Sequence, residues 1–137
     1  MSTRATYEFK DCFSSFTVYK HQDGYPEGGY QWIARAIKLA WALPRFEACD
    51  FGSAFVAANK HQAGDVYLTD GRDGHGDTKH HYLVTCEGGV LFVERFEPDG
   101  FHDARLWTSE EKGTLEEMLE KYAPSLTWVD YQVPAAT

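Results

Sequence analysis

Apolar and polar positions alternate in short runs along most of this chain. Residues 5–10 place Tyr7 and Phe9 on one side and Glu8 and Lys10 on the other. Residues 13–21 are rich in Phe, Thr, Val and Tyr. The two runs predict strands joined by a turn near Asp11-Cys12 or Ser14-Ser15. The pattern then changes period. Ile33, Ala34, Ile37, Ala40 and Trp41 recur at three- and four-residue steps, predicting a helix over 30–43 that Pro44 ends. A second helix is expected from an Asp50 cap through about Lys60, with Phe51, Ala54, Phe55 and Ala58 on one face and Gly64 as a stop.

Alternation returns over 65–69, 80–87 and 90–97, and Gly88-Gly89 suits a tight hairpin between the last two. Ser109 is read as the start of a third helix with an acidic first turn, and Leu115, Met118, Leu119 and Tyr122 as its apolar stripe. A last strand is expected over 126–133. The order β-β-α-α-β-β-β-α-β implies an α+β fold: a mainly antiparallel sheet with about three helices packed on one face.

The length of 137 residues fits a single domain over 1–137, and the 43% hydrophobic content can fill its core without disulfide or metal staples. Cys12, Cys49 and Cys86 show no close pair and read as buried, reduced thiols of a cytoplasmic protein. The opening residues carry no apolar run of the signal-peptide kind, and 33–43 is too short and too charged to span a bilayer, so no membrane association is expected. The net charge of −8 argues against non-specific nucleic-acid binding, which needs cations to neutralise phosphates.

The chemically pointed residues lie in two His-x-Asp triplets set among turn formers: His21-Gln22-Asp23-Gly24-Tyr25-Pro26 and Gly74-His75-Gly76-Asp77-Thr78. Imidazole and carboxylate together serve proton transfer and metal binding near neutral pH. His21, Asp23, His75 and Asp77 are therefore the catalytic candidates if the two loops meet, with Tyr25 as a lid or stacking surface. The alternative is that Asp23 and Asp77 merely shape turns.

Asp70, Asp73, His75, Asp77, His80 and His81 are dense enough in donors to suggest a metal. Their spacing fits neither an EF-hand nor HExxH, and His80 and His81 face opposite ways on a strand. No metal ligand set is assigned. Tyr67 and Tyr82, with Arg72 and Lys79, suggest a stacking and phosphate-holding surface, which makes Tyr25, Arg72 and Tyr82 the ligand-binding candidates. Nucleophile-elbow, Walker A and dinucleotide motifs are absent from the sequence, and no cofactor is expected.

Met1-Ser2-Thr3-Arg4, Tyr19-Lys20-His21-Gln22-Asp23-Gly24-Tyr25-Pro26 and His75-Gly76-Asp77-Thr78 leading to Tyr82 resemble a family of small proteins of bacteriophage and bacterial genomes. Gln22 stands where relatives often have an aromatic residue, and Lys79 where they have Glu. The resemblance implies no particular activity. It does imply a bacterial cytoplasmic, mobile-element setting, in which small proteins often block a host protein or ribonucleoprotein complex such as a CRISPR effector.

On that basis the chain is expected to be a binding protein rather than an enzyme. Glu110, Glu111, Glu116, Glu117 and Glu120 are the partner-facing surface, mimicking nucleic-acid charge against a basic groove. The competing expectation is a small-ligand or metal-assisted hydrolase site built from the two His-x-Asp loops.

Overall fold

A computed structural model describes residues 3–100 and 105–124. Six strands form a mixed sheet in the order β3-β2-β1-β4-β5-β6. The strands are β1 (Ala5–Lys10), β2 (Ser15–Lys20), β3 (Val66–Thr69), β4 (His80–Glu87), β5 (Val90–Pro98) and β6 (Trp107–Thr114). Among the described strands only β1 and β4 pair in parallel, and the other pairings are antiparallel. The helices are α1 (Pro26–Ala36), α2 (Ala48–Asn59) and α3 (Leu115–Tyr122). The expected α+β class is what the chain adopts.

The pleat divides the sheet residues into two sets. Tyr7 and Phe9 of β1, Val18 of β2, Tyr82 and Val84 of β4 and Val93 of β5 face the helices and are fully buried. They join Tyr30, Ile33, Phe51, Phe55 and Leu115 in one hydrophobic cluster. Tyr7 stacks on Tyr82 with centroids 4.8 Å apart, and both phenols donate to helix-entry carbonyls, Tyr7 to Gly29 and Tyr82 to Gly24. Among the described residues no helix covers the opposite face, which carries Glu8, Tyr19, Tyr67, His81 and Phe96.

Several elements differ from the sequence expectation. The first helix starts earlier, at Pro26, and takes in Gly28 and Gly29. These glycines allow close approach rather than breaking the helix. A Cβ on Gly29 would run into the Tyr82 hydroxyl. Asp50 is not the cap of α2; it accepts from the Trp41 amide. The first amide of α2, on Ala48, is taken instead by Asp11 at 2.7 Å. Asp11 also accepts from Phe13 and Ser14 and so closes the β1–β2 turn.

The largest correction concerns Ser109. It does not open a helix but lies in β6, which pairs with β5. The helix begins at Leu115 behind Thr114, whose hydroxyl accepts from the Glu117 amide while the Glu117 carboxylate accepts from the Thr114 amide. Glu110 is the extra residue of a bulge, since Arg95 pairs with Glu111 but Phe96 with Ser109. Cys12 and Cys49 are exposed and Cys86 is half-buried, against the expectation that all three would be buried. The strand expected over 126–133 lies outside the described residues.

Candidate functional site

β3 and β4 run in the same direction with β2 and β1 between them. The chain must therefore return from the end of β3 to the start of β4, and it does so through loop 70–79 across the helix-free face. Arg105 clamps this loop. Its guanidinium donates to the carbonyls of His75 and Thr78 and to the Thr78 hydroxyl. The Trp107 indole donates to Asp73 at 2.9 Å, and Arg72 lies 5.3 Å from the rings of both Phe96 and Trp107. The cover explains why Thr6, Tyr19 and His81 are buried on a face that no helix among the described residues touches.

The second His-x-Asp triplet travels with this loop and meets the first. His21 continues the β2 ladder, its amide donating to Asp65. Its Nδ1 accepts from the Tyr19 hydroxyl at 2.8 Å and from Arg4 Nε at 3.3 Å. Because a guanidinium can only donate, Nδ1 is the unprotonated nitrogen and His21 carries its proton on Nε2. Arg4 Nη1 pairs with Asp77 at 2.5 Å. His75 stacks on Tyr19 with centroids 4.1 Å apart, and its Nε2 lies 3.3 Å from the Tyr67 hydroxyl. Burial, and then the Asp77 carboxylate, push the Tyr19 phenol up to about 12, so it stays a donor at neutral pH.

His21, His75 and Asp77 thus converge, joined by Arg4 and Tyr19. Asp23 does not join them. It occupies a left-handed turn position, φ 59°, and its carbonyl accepts from the Trp32 indole. Its carboxylate lies beside Tyr25 and pushes that exposed phenol up. Tyr25 precedes α1 without capping it through its side chain.

Nor do Tyr67 and Tyr82 form one stacking surface. Tyr82 is fully buried under the helices, while Tyr67 lies on the opposite face. Arg72 is spent on Phe96 and Trp107. His80 and His81 do face opposite ways. His81 bonds Thr6 and Glu8, whereas His80 accepts from Arg95. Among the described residues no group of three or more His, Cys, Asp or Glu is placed to hold a metal ion.

The acidic residues divide as well. Glu111 is a structural hub, accepting from Arg95, Tyr30, Lys121 and Tyr122. Burial opposes its ionisation, but these four donors prevail and hold the carboxyl at about 2. Arg95 also pairs with Glu97. Glu117 belongs to the α3 cap. Glu110, Glu116 and Glu120 remain exposed.

Arg4, Tyr19, Arg105 and Trp107 were not among the sequence candidates. Tyr19 had a legible signal, since residues two apart on a strand share a face and it precedes His21 by two. Arg105 and Trp107 had none, because their partners lie some thirty residues away along the chain.

No family model, no curated protein and no solved structure matches this chain. Among the described residues no helix is long and apolar enough to cross a membrane.

Proposed function

We propose that this chain is a non-enzymatic binding protein of the phage or mobile-element type, acting on a host defence complex such as a CRISPR effector. The observation that carries the reading is the distribution of acidic charge. The net charge is −8, and Glu110, Glu116 and Glu120 stand exposed on β6 and α3. Glu116 and Glu120 are four residues apart and share a helix face. A surface of this sign complements a basic groove shaped for nucleic acid, and long-range attraction speeds the encounter. The contact is assigned to these three residues, because Glu111 and Glu117 serve the fold.

Tagged protein mixed with bacterial host lysate at low salt is expected to retain a basic protein or ribonucleoprotein. Reversing Glu110, Glu116 and Glu120 to Lys should release it, whereas His21→Ala should not. Failure to retain any such complex, or indifference to the triple reversal, would overturn the reading.

One observation favours a second reading: the meeting of His21, His75 and Asp77 around Tyr19 and Arg4. Here the junction is a small-ligand site in which Arg4 supplies the counter-charge for an anion and the His21 ring N–H a donor. Phosphate should then raise the melting temperature, and Arg4→Lys should remove the rise. Equal behaviour of the two proteins would exclude it.

A further inference from the structure

β3 pairs with Thr17 to Lys20 of β2 and ends at Thr69. β2 itself starts two residues earlier, at Ser15. Past Thr69 the chain turns away through Asp70 and Gly71, the latter at φ 138°. Ser15 and Phe16 therefore have β1 on one side, opposite Lys10 and Phe9, and among the described residues no paired strand on the other.

Strand alternation says which backbone groups are left facing outward. The His21 amide bonds Asp65 on the β3 side, so those of Tyr19, Thr17 and Ser15 point the same way. Tyr19 and Thr17 meet β3, while Ser15 lies beyond its end. The outer edge of β3 is partly covered, because Lys60 Nζ donates to the Val66 carbonyl at 3.0 Å.

Two grooves flank this notch, one on each face of the sheet. On the helix-free face a groove of about 530 Å3 is lined by Glu8, Thr17, Thr69 and Asp70. On the helix face a groove of about 440 Å3 is lined by Gly52, Val56 and Ala57 of α2. Phe16 and Leu68 border both, and are 41% and 70% exposed. The first groove carries carboxylates. A hydrogen bond from His81, helped by Ser15 and opposed by burial, holds the Glu8 carboxyl at about 2, and Asp70 is exposed. The second groove is apolar.

An extended chain sends consecutive side chains to opposite faces of a sheet. We propose that this corner docks a short extended segment of a partner protein in which apolar residues alternate with lysine or arginine, laid beside β2 in line with β3. The apolar side chain enters the groove between Phe16, Leu68 and α2. The cation lies against Glu8 and Asp70, and the backbone pairs with Ser15 as an added strand. An acidic segment would set like charges together there, and a wholly polar one would leave the apolar groove wet. The corner is at the opposite edge of the sheet from Glu110, Glu116 and Glu120, so it is independent of them.

The test is an NMR titration of the labelled full-length chain, at low salt, with a short acetylated and amidated peptide alternating valine and lysine. Shifts should concentrate at Ser15, Phe16, Ala57 and Asp70, with slower exchange of the Ser15 amide. Ala57→Lys, at an exposed helix position, should weaken binding at least about tenfold, the scale of one lost apolar or charged contact. Asp70→Lys should do the same for this peptide and admit one with glutamate in place of lysine. Circular dichroism checks that both variants remain folded. The proposal falls if no shifts arise at this corner, if lysine and glutamate peptides bind equally, or if neither substitution matters. It also falls if the free protein self-associates through this corner and Ala57→Lys abolishes that, since the occupant is then a second copy.

Discussion

The phenol of Tyr19 lies on the imidazole of His75, with ring centroids 4.1 Å apart and planes 25° from parallel. One residue belongs to β2 and the other to the loop that crosses the sheet, so this stack fastens the loop to its floor. The same phenol bonds His21 Nδ1 at 2.8 Å. Tyr19→Phe keeps the stack and loses the bond, at an expected cost of about 1 kcal/mol in denaturant unfolding. Tyr19→Ala loses both and should cost about 3–5 kcal/mol, the range for truncating a buried aromatic. Equal losses for the two variants would show that the stack contributes nothing.

Arg105 holds loop 70–79 through the carbonyls of His75 and Thr78 and the Thr78 hydroxyl. Arg105→Lys retains the charge but loses the planar fork that spans His75 and Thr78. Hydrogen exchange across 70–79 should accelerate in this variant while β4 and β5 stay protected. Unchanged loop protection would mean that the Trp107–Asp73, Tyr19–His75 and Arg4–Asp77 contacts hold it without Arg105.

Glu111 joins Arg95 of β5, Tyr30 of α1 and Tyr122 of α3. Arg95 is 7% exposed. Glu111→Ala leaves that buried guanidinium with Glu97 as its remaining carboxylate and takes the acceptor from the Tyr30 and Tyr122 hydroxyls, and should cost about 1–3 kcal/mol. Arg95→Met together with Glu111→Leu should recover much of the loss, because no buried guanidinium is then left short of an acceptor. A double variant as unstable as the single one would assign the loss to packing.

Acid should weaken the fold in two stages. Burial, reinforced by the Arg95 guanidinium, holds His80 down at about 4, and burial also lowers His81 against the pull of Glu8. As the pH falls from the ordinary imidazole value of 6.5 towards 4, the unfolded chain takes up protons that the folded chain refuses, so stability declines. Below the ordinary carboxyl value of 4.5, Glu8 and Glu111, both held at about 2, add a second decline. Urea midpoints measured against pH should show both limbs, and His80→Gln should flatten the upper one.

Two helical glycines should respond oppositely to alanine. Gly29→Ala drives a methyl into the Tyr82 hydroxyl and should cost about 1–3 kcal/mol or more, as overpacking does. Gly52→Ala meets only the Phe9 ring at 3.5 Å, an ordinary contact, and should gain about 0.5–1 kcal/mol from helix propensity. Thermal melts of the two variants decide both.

Local pattern determined much of this architecture. The strands of β1 and β4 were legible to the residue because alternation and the Gly88-Gly89 turn are encoded within a few positions. The opposite facing of His80 and His81 follows from the pleat alone. β6 was misread because an edge strand with one exposed side need not alternate, and Ser-Glu-Glu-Lys imitates a helix start. The stricter signal, Thr114 followed three residues later by Glu117, was present in the sequence.

The meeting of the two His-x-Asp loops was beyond local pattern. It depends on β3 and β4 running in the same direction, which forces the connection back across the sheet and sets His75 on Tyr19 and Asp77 on Arg4. The fates of Glu111 and Asp11 were hidden for the same reason, since a carboxylate looks identical along the chain whether it faces water, a buried guanidinium or a distant helix amide. Short-range periodicity chose the elements; strand direction and long-range hydrogen bonding chose which polar groups the fold consumes and which remain outside.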